Sequence, residues 1–442
     1  MVTRVLLVST NYAPEQAGIG PYATQIAEHW AGTGHAEVHV LTGMPHYPNW
    51  RVADGYRGVW RTEEELAGVR LHRRRHSVPA RQTAVRRALY EASILAHGIV
   101  APPRMAAPDA VVAQVPSLAG GALGARLARR HGVPYVPVVQ DLMGAAAAQS
   151  GIRGGSRAAA AARAVEARVL RRASLVGVIH ETFVPRVAAM GVAEKQIRVV
   201  PNWSHVAEPT RPRAEMRARL GWRDGQTVLL HSGNMGLKQG LEVLVEAARK
   251  DPSLRVVLMG DGNQREHLAA LGAGLPNLDF LPPADAGEFT DVLAAADVLA
   301  VTQRASVLDM SVPSKLTSYF AAGRPVVASV ADGGGTAEEM RRSGAGVVVP
   351  PEDPAALLEA VRTLAGDPRE AGALGARGPV YVRAHLSSEA GLGRITALLD
   401  EALDAAPGSS GGPVVHNRPV IHRRKAAGGQ AAGPVAHTDK TG

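Results

Sequence analysis

Short, continuous apolar runs alternate with amphipathic stretches along nearly the whole chain. In the first half the runs are Val5-Leu6-Leu7-Val8, Val38-His39-Val40-Leu41, Ala110-Val111-Val112, Tyr135-Val136-Pro137-Val138-Val139, Leu175-Val176-Gly177-Val178-Ile179 and Ile197-Arg198-Val199-Val200. In the second half they are Val228-Leu229-Leu230, Arg255-Val256-Val257-Leu258-Met259, Leu278-Asp279-Phe280-Leu281, Val298-Leu299-Ala300-Val301, Pro325-Val326-Val327-Ala328 and Gly346-Val347-Val348-Val349. Runs rich in β-branched residues, separated by helical stretches, are the pattern of parallel sheets covered on both faces. Each half therefore predicts a doubly wound α/β domain, and two such domains bind ligands between them at the carboxyl ends of their strands.

The pattern also predicts the organisation. A polar, proline-containing stretch from Pro201-Asn202-Trp203-Ser204 to Pro212 separates the halves, giving one Rossmann-like domain over 1–205 and a second over 206–379. After Pro379, the segment Val380 to Leu403 carries Leu392, Ile395, Leu398, Leu399 and Leu403 at helical spacing and predicts a helical segment over 380–404. The remainder, 405–442, is rich in Gly, Pro, Ala and Arg without periodicity and is expected to be disordered.

Length and composition narrow the class. A chain of 442 residues suits two or three domains, with two preferred. The absence of cysteine excludes disulfides, thiolate metal sites and a cysteine nucleophile. The first apolar run is too short for a signal-peptide core, and no apolar stretch reaches the roughly 20 residues that span a bilayer, which leads to the expectation of a cytoplasmic protein. The net charge of +9 is divided unevenly: residues 1–203 carry +11 and residues 204–404 carry −6. A basic first half argues for an anionic partner on that side. Nucleic acid is not expected, because aromatic residues make up only 4% of the chain and no recognition motif occurs. An anionic membrane surface is the other candidate. The segment Arg81 to Tyr90, leading into Ile94-Leu95 and Ile99-Val100, reads either as a helix lying on a bilayer or as one packing its apolar stripe inward.

Candidate chemistry lies in the loops that follow strands. Gly233-Asn234-Met235-Gly236-Leu237-Lys238-Gln239-Gly240 places glycines and a lysine where a strand turns into a helix, so that bare N–H groups and an ammonium meet an anion. Val312-Pro313-Ser314-Lys315-Leu316 brings a second lysine to a helix start. Two cationic loops in one domain suggest a diphosphate between them. In the first half, Gly18 and Gly20 let backbone approach a bound group before the helix that begins near Pro21. Asp141, His180 and Glu181 lie just beyond strands and serve either an acceptor or a helix cap, and His46 sits in a proline-bracketed loop.

These loops, in this order, together with Met259-Gly260-Asp261-Gly262, Ala295-Ala296-Asp297-Val298 and Tyr319 to Val326, resemble the retaining nucleotide-sugar glycosyltransferases of family 4 over residues 4 to 404. Within that family the loops at Thr42 to Pro48 and Val139 to Leu142 look most like enzymes of bacterial surface polysaccharide synthesis. The resemblance implies the GT-B fold of two Rossmann-like domains with a cleft between them. It also implies a UDP- or GDP-sugar donor, a growing and lipid-linked or oligosaccharide acceptor, and no cofactor or metal. The sequence contains no Asp-x-Asp pair and no obvious ligand cluster. Donor contacts would come from Gly233, Asn234, Lys238, Gly260, Gly262, Pro313, Ser314, Lys315 and Ser318, and acceptor contacts from Gly18, Gly20, Gln114, Asp141, His180 and Glu181. Lys238, Asp141 and His46 are the catalytic candidates, the lysines stabilising charge on the leaving diphosphate.

The chain departs from the family pattern at three places. Asn234 and Met235 stand where many members have an Arg, Ser318 where many have a ribose-binding Glu, and Gln114 where the family has a His near the reacting sugar. These leave two other readings open: a non-catalytic partner in a polysaccharide assembly complex, and a nucleotide-sugar epimerase on the same fold.

Overall fold

The computed structural model describes the chain apart from 1, 17, 80–82, 116, 143–154, 205–207, 286, 308–314 and 407–442. The tail expected to be disordered falls, from 407 on, outside the described residues. The first sheet contains β1 (Arg4–Val8), β2 (Glu37–Gly43), β3 (Arg61–Leu66), β4 (Val69–Arg74), β5 (Ala110–Val115), β6 (Tyr135–Val139), β7 (Val176–Val178) and β8 (Ile197–Val199), in the order β3-β4-β2-β1-β5-β6-β7-β8. All neighbours are parallel except β3, which runs antiparallel to β4.

The second sheet contains β9 (Val228–Ser232), β10 (Arg255–Met259), β11 (Leu278–Leu281), β12 (Val298–Thr302), β13 (Val326–Ser329) and β14 (Gly346–Val349). Its order is β11-β10-β9-β12-β13-β14, parallel throughout. In each sheet the order reverses beside the first strand, between β1 and β5 and between β9 and β12, which is where a doubly wound sheet opens a ligand crevice. Buried Val, Leu, Ile and Ala on both faces of each sheet form its apolar clusters.

The β3–β4 hairpin is absent from the apolar pattern, for a physical reason. β4 reads Val-Arg-Leu-His-Arg-Arg, yet Leu71, His72, Arg73 and Arg74 are buried. The arginines are admitted because they are bonded. Arg73 Nε donates to Glu64 at 2.8 Å, and Arg74 Nε donates to the Ala101 carbonyl at 2.6 Å. The turn is Ala67-Gly68, both at positive φ (50° and 77°), and alanine rarely announces that conformation. Part of the basic excess of the first half is therefore internal.

The C-terminal helical segment also differs from expectation. One helix runs Pro368–His385 straight through Pro379, and the break comes at Leu386-Ser387. The first of these helices lies close on the second lobe: a Cβ at Gly375 or Gly378 would stand 2.5 Å from the Gly323 or Phe320 carbonyl oxygen. Ser387 then caps a second helix, Ser388–Asp404, by accepting from Ala390 N–H at 3.2 Å. That last helix crosses back to the first lobe. Ile395, Leu398, Leu399 and Ala402 join the apolar cluster of Val136, Val138 and Leu175, and the Trp30 indole N–H donates to Thr396 at 2.9 Å. The two crossings lie side by side, with Ser204 N–H donating to the Leu386 carbonyl at 2.8 Å.

Candidate functional site

In the second lobe two strand ends interlock. Gly233 follows β9 at φ 116°, and Gly260 and Gly262 follow β10 at φ 138° and 153°. A Cβ on Gly260 would lie 2.0 Å from the Gly233 carbonyl oxygen, and one on Gly262 would lie 2.5 Å from the Met235 carbonyl oxygen, so only glycine fits either position. Gly233 N–H donates to Met259 O and Met235 N–H to Asp261 O, both at 2.8 Å. The Met235 side chain is fully buried with Leu229, Leu241 and Leu244, which anchors the loop, while the exposed Asn234 amide lies over Gly262 and Gly236.

Lys238 stands exposed on the short turn Leu237–Gln239. That turn is held from the end of β12: Arg304 N–H donates to the Lys238 carbonyl at 3.0 Å, Arg304 Nε donates to Leu237 O at 2.7 Å, and Thr302 donates to Gln239 O at 2.7 Å. Arg304 itself is fixed by Glu242 and Glu352 at 2.6 and 3.0 Å. Neither Arg304 nor Thr302 stands out in the sequence, since neither the last residue of β12 nor the loop after it belongs to a motif.

Lys315 opens the helix Lys315–Ala321 and meets the first loop, its Nζ 3.7 Å from where a Gly233 Cβ would be. The two cationic loops therefore converge. Burial lowers the Lys315 pKa to about 7. Its partner is His231 in β9, which has no solvent exposure: Nζ lies 3.3 Å from Nε2, while Nδ1 faces the Ala300 carbonyl at 3.2 Å. Burial, followed by the charge of Lys315, pushes the His231 pKa well down, so the neutral ring donates from Nδ1 to Ala300 and accepts at Nε2 from Lys315. One turn on, the Tyr319 hydroxyl accepts from Ser232 N–H at 2.7 Å and pins the same helix to the same strand. Ser318 is buried on that helix. Pro313 and Ser314 lie outside the described residues.

In the first lobe, Gly18, His46, Trp50, Arg87, Asn202 and Asp141 line a pocket of about 360 Å³. Its organiser is Glu15, which the sequence reading passed over. This buried carboxylate accepts from the N–H groups of His46 and Tyr47, both at 2.7 Å, and of Tyr12 at 3.2 Å. A single acid inside a short glycine-containing loop was the available signal. Gly18 (φ 65°) packs on the Tyr47 ring, and Gly20 opens its helix against the Glu15 carbonyl, 2.9 Å from a would-be Cβ. His46 has Nδ1 2.9 Å from Met44 O, Nε2 3.4 Å from the Tyr90 hydroxyl, and a pKa lowered by burial. Both of its ring nitrogens are engaged within the protein. Asp141 follows β6, and burial raises its carboxyl to about 6, against the opposing pull of Lys238. The two lobes thus bring Asp141 within electrostatic reach of the donor-loop lysine.

Three expected acceptor residues lie elsewhere. Gln114 is fully buried in β5, below the pocket rather than on its wall. Its Oε1 accepts from Gln140 at 3.1 Å, Gln140 accepts from Asn202 at 2.8 Å, and the Gln114 amide nitrogen has no partner among the described residues. Gln140 and Asn202, not Gln114, reach the surface of the pocket. His180 and Glu181 follow β7 into a neighbouring cavity of about 480 Å³. There they face the second lobe's helix Gly335–Ser343, His180 lying 3.6 Å from Glu339 and Glu181 pairing with Arg342 at 2.6 Å. His180 also caps the turn Glu181–Phe183 by accepting from Thr182 N–H at 3.2 Å. Among the described residues no cluster of His, Asp or Glu is grouped to hold a metal ion.

Residues 17–203 match the model of the glycosyl transferase 4-like domain, and residues 226–367 match that of the glycosyl transferases group 1. WcaI of Escherichia coli (strain K12), a glycosyl transferase assigned to colanic acid biosynthesis, is 31% identical over 81% of this chain and 91% of its own length. The chain belongs to the family 4 glycosyltransferases. Similar solved structures fit the same architecture. The sucrose-phosphate synthase of Thermosynechococcus elongatus superposes with a TM-score of 0.71 at 19% identity, over 92% of this chain and all of that one. Anabaena HepE, solved in complex with UDP, superposes with a TM-score of 0.64 at 16% identity, over 90% of this chain and all of that one. The fold of this glycosyltransferase is GT-B.

Proposed function

We propose that this enzyme moves a sugar from a UDP- or GDP-sugar to a hydroxyl of a growing, lipid-linked glycan in surface polysaccharide synthesis, with retention of configuration and without a metal. The observation that carries the donor side is the convergence of Lys315 on the Gly233 loop, 3.7 Å from the position of a Gly233 Cβ. As the anomeric C–O bond breaks, negative charge grows on the leaving diphosphate. Bare N–H groups of the 233–236 loop, Lys238 and the Lys315 ammonium are the groups that stabilise it, in the place a divalent cation takes elsewhere. Asp141, ionised above about pH 6, accepts a hydrogen bond from the acceptor hydroxyl and holds it toward the sugar. Retention follows from the family resemblance: the hydroxyl enters on the face the diphosphate leaves, and its proton passes to the departing phosphate oxygen.

The acceptor class rests on the name of the Escherichia coli relative and on the first lobe's surface. No described helix is long and apolar enough to cross a membrane. The helix Ala84–Val100, however, turns Val85, Leu89, Ala92, Ala96, Ile99 and Val100 outward. Of the two readings of this segment, the outward stripe favours a helix that rests on a bilayer, and a peripheral site on the cytoplasmic face suits a soluble nucleotide donor.

The test is a thermal-shift series with UDP, GDP, dTDP, CMP and their sugar conjugates, followed by transfer to a polyprenyl-diphosphate saccharide with and without EDTA. One nucleotide should stabilise the wild type but neither Lys238→Ala nor Lys315→Ala, and transfer should survive chelation. Donor consumption without an acceptor would favour the epimerase, and the absence of any nucleotide binding would favour the non-catalytic partner.

A further inference from the structure

Among the described residues only three other than glycine stand at positive φ: Trp50, Ala67 and Glu352. Ala67 turns the β3–β4 hairpin and Trp50 lies in the wall of the acceptor pocket, but Glu352, at φ 59°, stands exposed on the short connection between β14 and the helix Pro354–Gly366. Glycine is the residue that adopts this conformation without strain, so a glutamate there needs a reason. Local structure does not supply one. The neighbours fix the connection without it: the Ser329 hydroxyl donates to the Pro350 carbonyl at 3.0 Å, and Asp353 caps the helix by accepting from the N–H groups of Ala355 and Ala356 at 2.9 and 3.0 Å. The Glu352 carboxylate instead reaches across to the loop after β12, where it accepts from Arg304 Nη1 and from the Ala305 N–H, both at 3.0 Å.

Arg304 is held at every nitrogen. Nε donates to the Leu237 carbonyl, Nη1 to Glu352 and Nη2 to Glu242, while its main-chain N–H donates to the Lys238 carbonyl. Gly240, itself at φ 58°, leaves room for the stem of this side chain, since a Cβ there would stand 3.1 Å from Arg304 Cγ. As a contribution to stability the Arg304–Glu352 pair counts for little, because both side chains are well exposed, at 30% and 43%. What it fixes is geometry. We propose that Glu352 is a positioning residue for the donor site: through Arg304 it sets the turn that carries Lys238, and through the Ala305 N–H it sets the start of the connection that leads from β12 to Lys315. The inference rests on the reading that both lysines meet the leaving diphosphate. It adds that the placement of the two ammonium groups relative to each other depends on one residue kept in a strained conformation after β14.

The experiment compares the wild type, Glu352→Gly and Glu352→Gln in the full chain by melting temperature, by amide hydrogen exchange of the free protein, and by sugar transfer. Glu352→Gly removes the strain together with the carboxylate, so its melting temperature should hold or rise by about 2 °C. At the same time exchange in 237–240 and 303–305 should quicken about tenfold, with the rest of the second lobe unchanged. The kcat should fall about tenfold at an unchanged acceptor KM, the effect of ammonium groups left loosely placed. Glu352→Gln keeps the backbone conformation and an acceptor for the Ala305 N–H, and should retain most of the wild-type protection and rate. A residue that only stabilises the fold would give a different pattern, with activity and melting temperature falling together and exchange rising throughout the lobe, and that result overturns the proposal. Unchanged exchange in Glu352→Gly overturns it as well, whether or not the wild type transfers sugar. Local quickening in Glu352→Gly, found alongside a wild type that binds no nucleotide, would leave the positioning standing and sink the diphosphate reading instead.

Discussion

The two lobes share a fold but build their halves of the cleft by different means. The donor half is made of backbone: Gly233, Gly260 and Gly262 press main chain against main chain, and two lysines supply charge at the rim. The acceptor half is made of side chains: Glu15 ties three N–H groups, His46 lies among Trp50, His76 and Tyr90, and Asn202, Gln140 and Gln114 form a relay. On the proposed reading the donor half holds a diphosphate, which is the same in every UDP- or GDP-sugar, so a rigid backbone cradle suffices for it. Acceptors differ, and side-chain identity is where such a difference can be recognised.

The comparison breaks first at the lysines. Lys315→Ala or Lys238→Ala should lower kcat by about 10²- to 10³-fold while leaving the fold intact, as read by single-turnover transfer and the melting temperature. A loss confined to KM would mean that these groups bind the ground state and do not act on the leaving charge.

Glu15→Ala tests the other half. Three buried N–H groups lose their acceptor, at about 1–3 kcal/mol for each one left unpaired, so the melting temperature should fall and the acceptor KM should rise. The nucleotide shift should persist in any protein that remains folded. If donor and acceptor binding fell together, the two halves would not be independent.

The pH dependences should have opposite signs in the two lobes. Lys315, held near 7, binds a diphosphate as the ammonium, so donor affinity should be flat below about pH 7 and fall by up to about tenfold per unit above it, with proton uptake in calorimetry. Asp141, raised to about 6, should make kcat/KM climb as pH passes about 6, and Asp141→Asn should flatten that limb. Because the fold raises this carboxyl's pKa, its ionisation opposes folding above that pH, and the same variant should melt higher at neutral pH.

Two smaller effects sharpen the picture. His231→Phe removes the acceptor that orients Lys315 and should weaken donor binding about fivefold, the worth of about one hydrogen bond, whereas His231→Gln should keep most of it. Arg342→Ala deletes the exposed pair with Glu181 and should change stability by less than about 1 kcal/mol.

This division also governs what could be read from the sequence. Glycine at a strand end is a local mark, and Gly233, Gly260 and Gly262 announce themselves because no other residue fits. The sheets were legible wherever apolar runs formed them. β3 and β4 were not, since their alternation is carried by Glu, Arg and His whose burial depends on partners such as the Ala101 carbonyl. Glu15 and Arg304 escaped for the same reason: each works through main-chain groups distant in sequence. Gln114 was placed by its position in the family pattern, and only packing shows that it is fully buried behind Gln140, which lines the pocket in its stead. His180 and Glu181 were read as serving either an acceptor or a helix cap; His180 does cap its turn, while the helix of the other lobe that meets both residues left no mark in the sequence.

The last helix, Ser388–Asp404, closes the apolar cluster under β6 and β7 although it is made some 190 residues after β8. During synthesis the first lobe must therefore wait, its face open beside Trp30 and Val138, until almost the whole chain has left the ribosome. The second lobe, contiguous from β9 through the helix Pro368–His385 that packs on it, can finish earlier, against the usual order in which N-terminal units fold first. In that order the second lobe closes before the first, and a chain halted just after His385 would carry every helix of the second lobe while the first still lacks the one that covers β6 and β7.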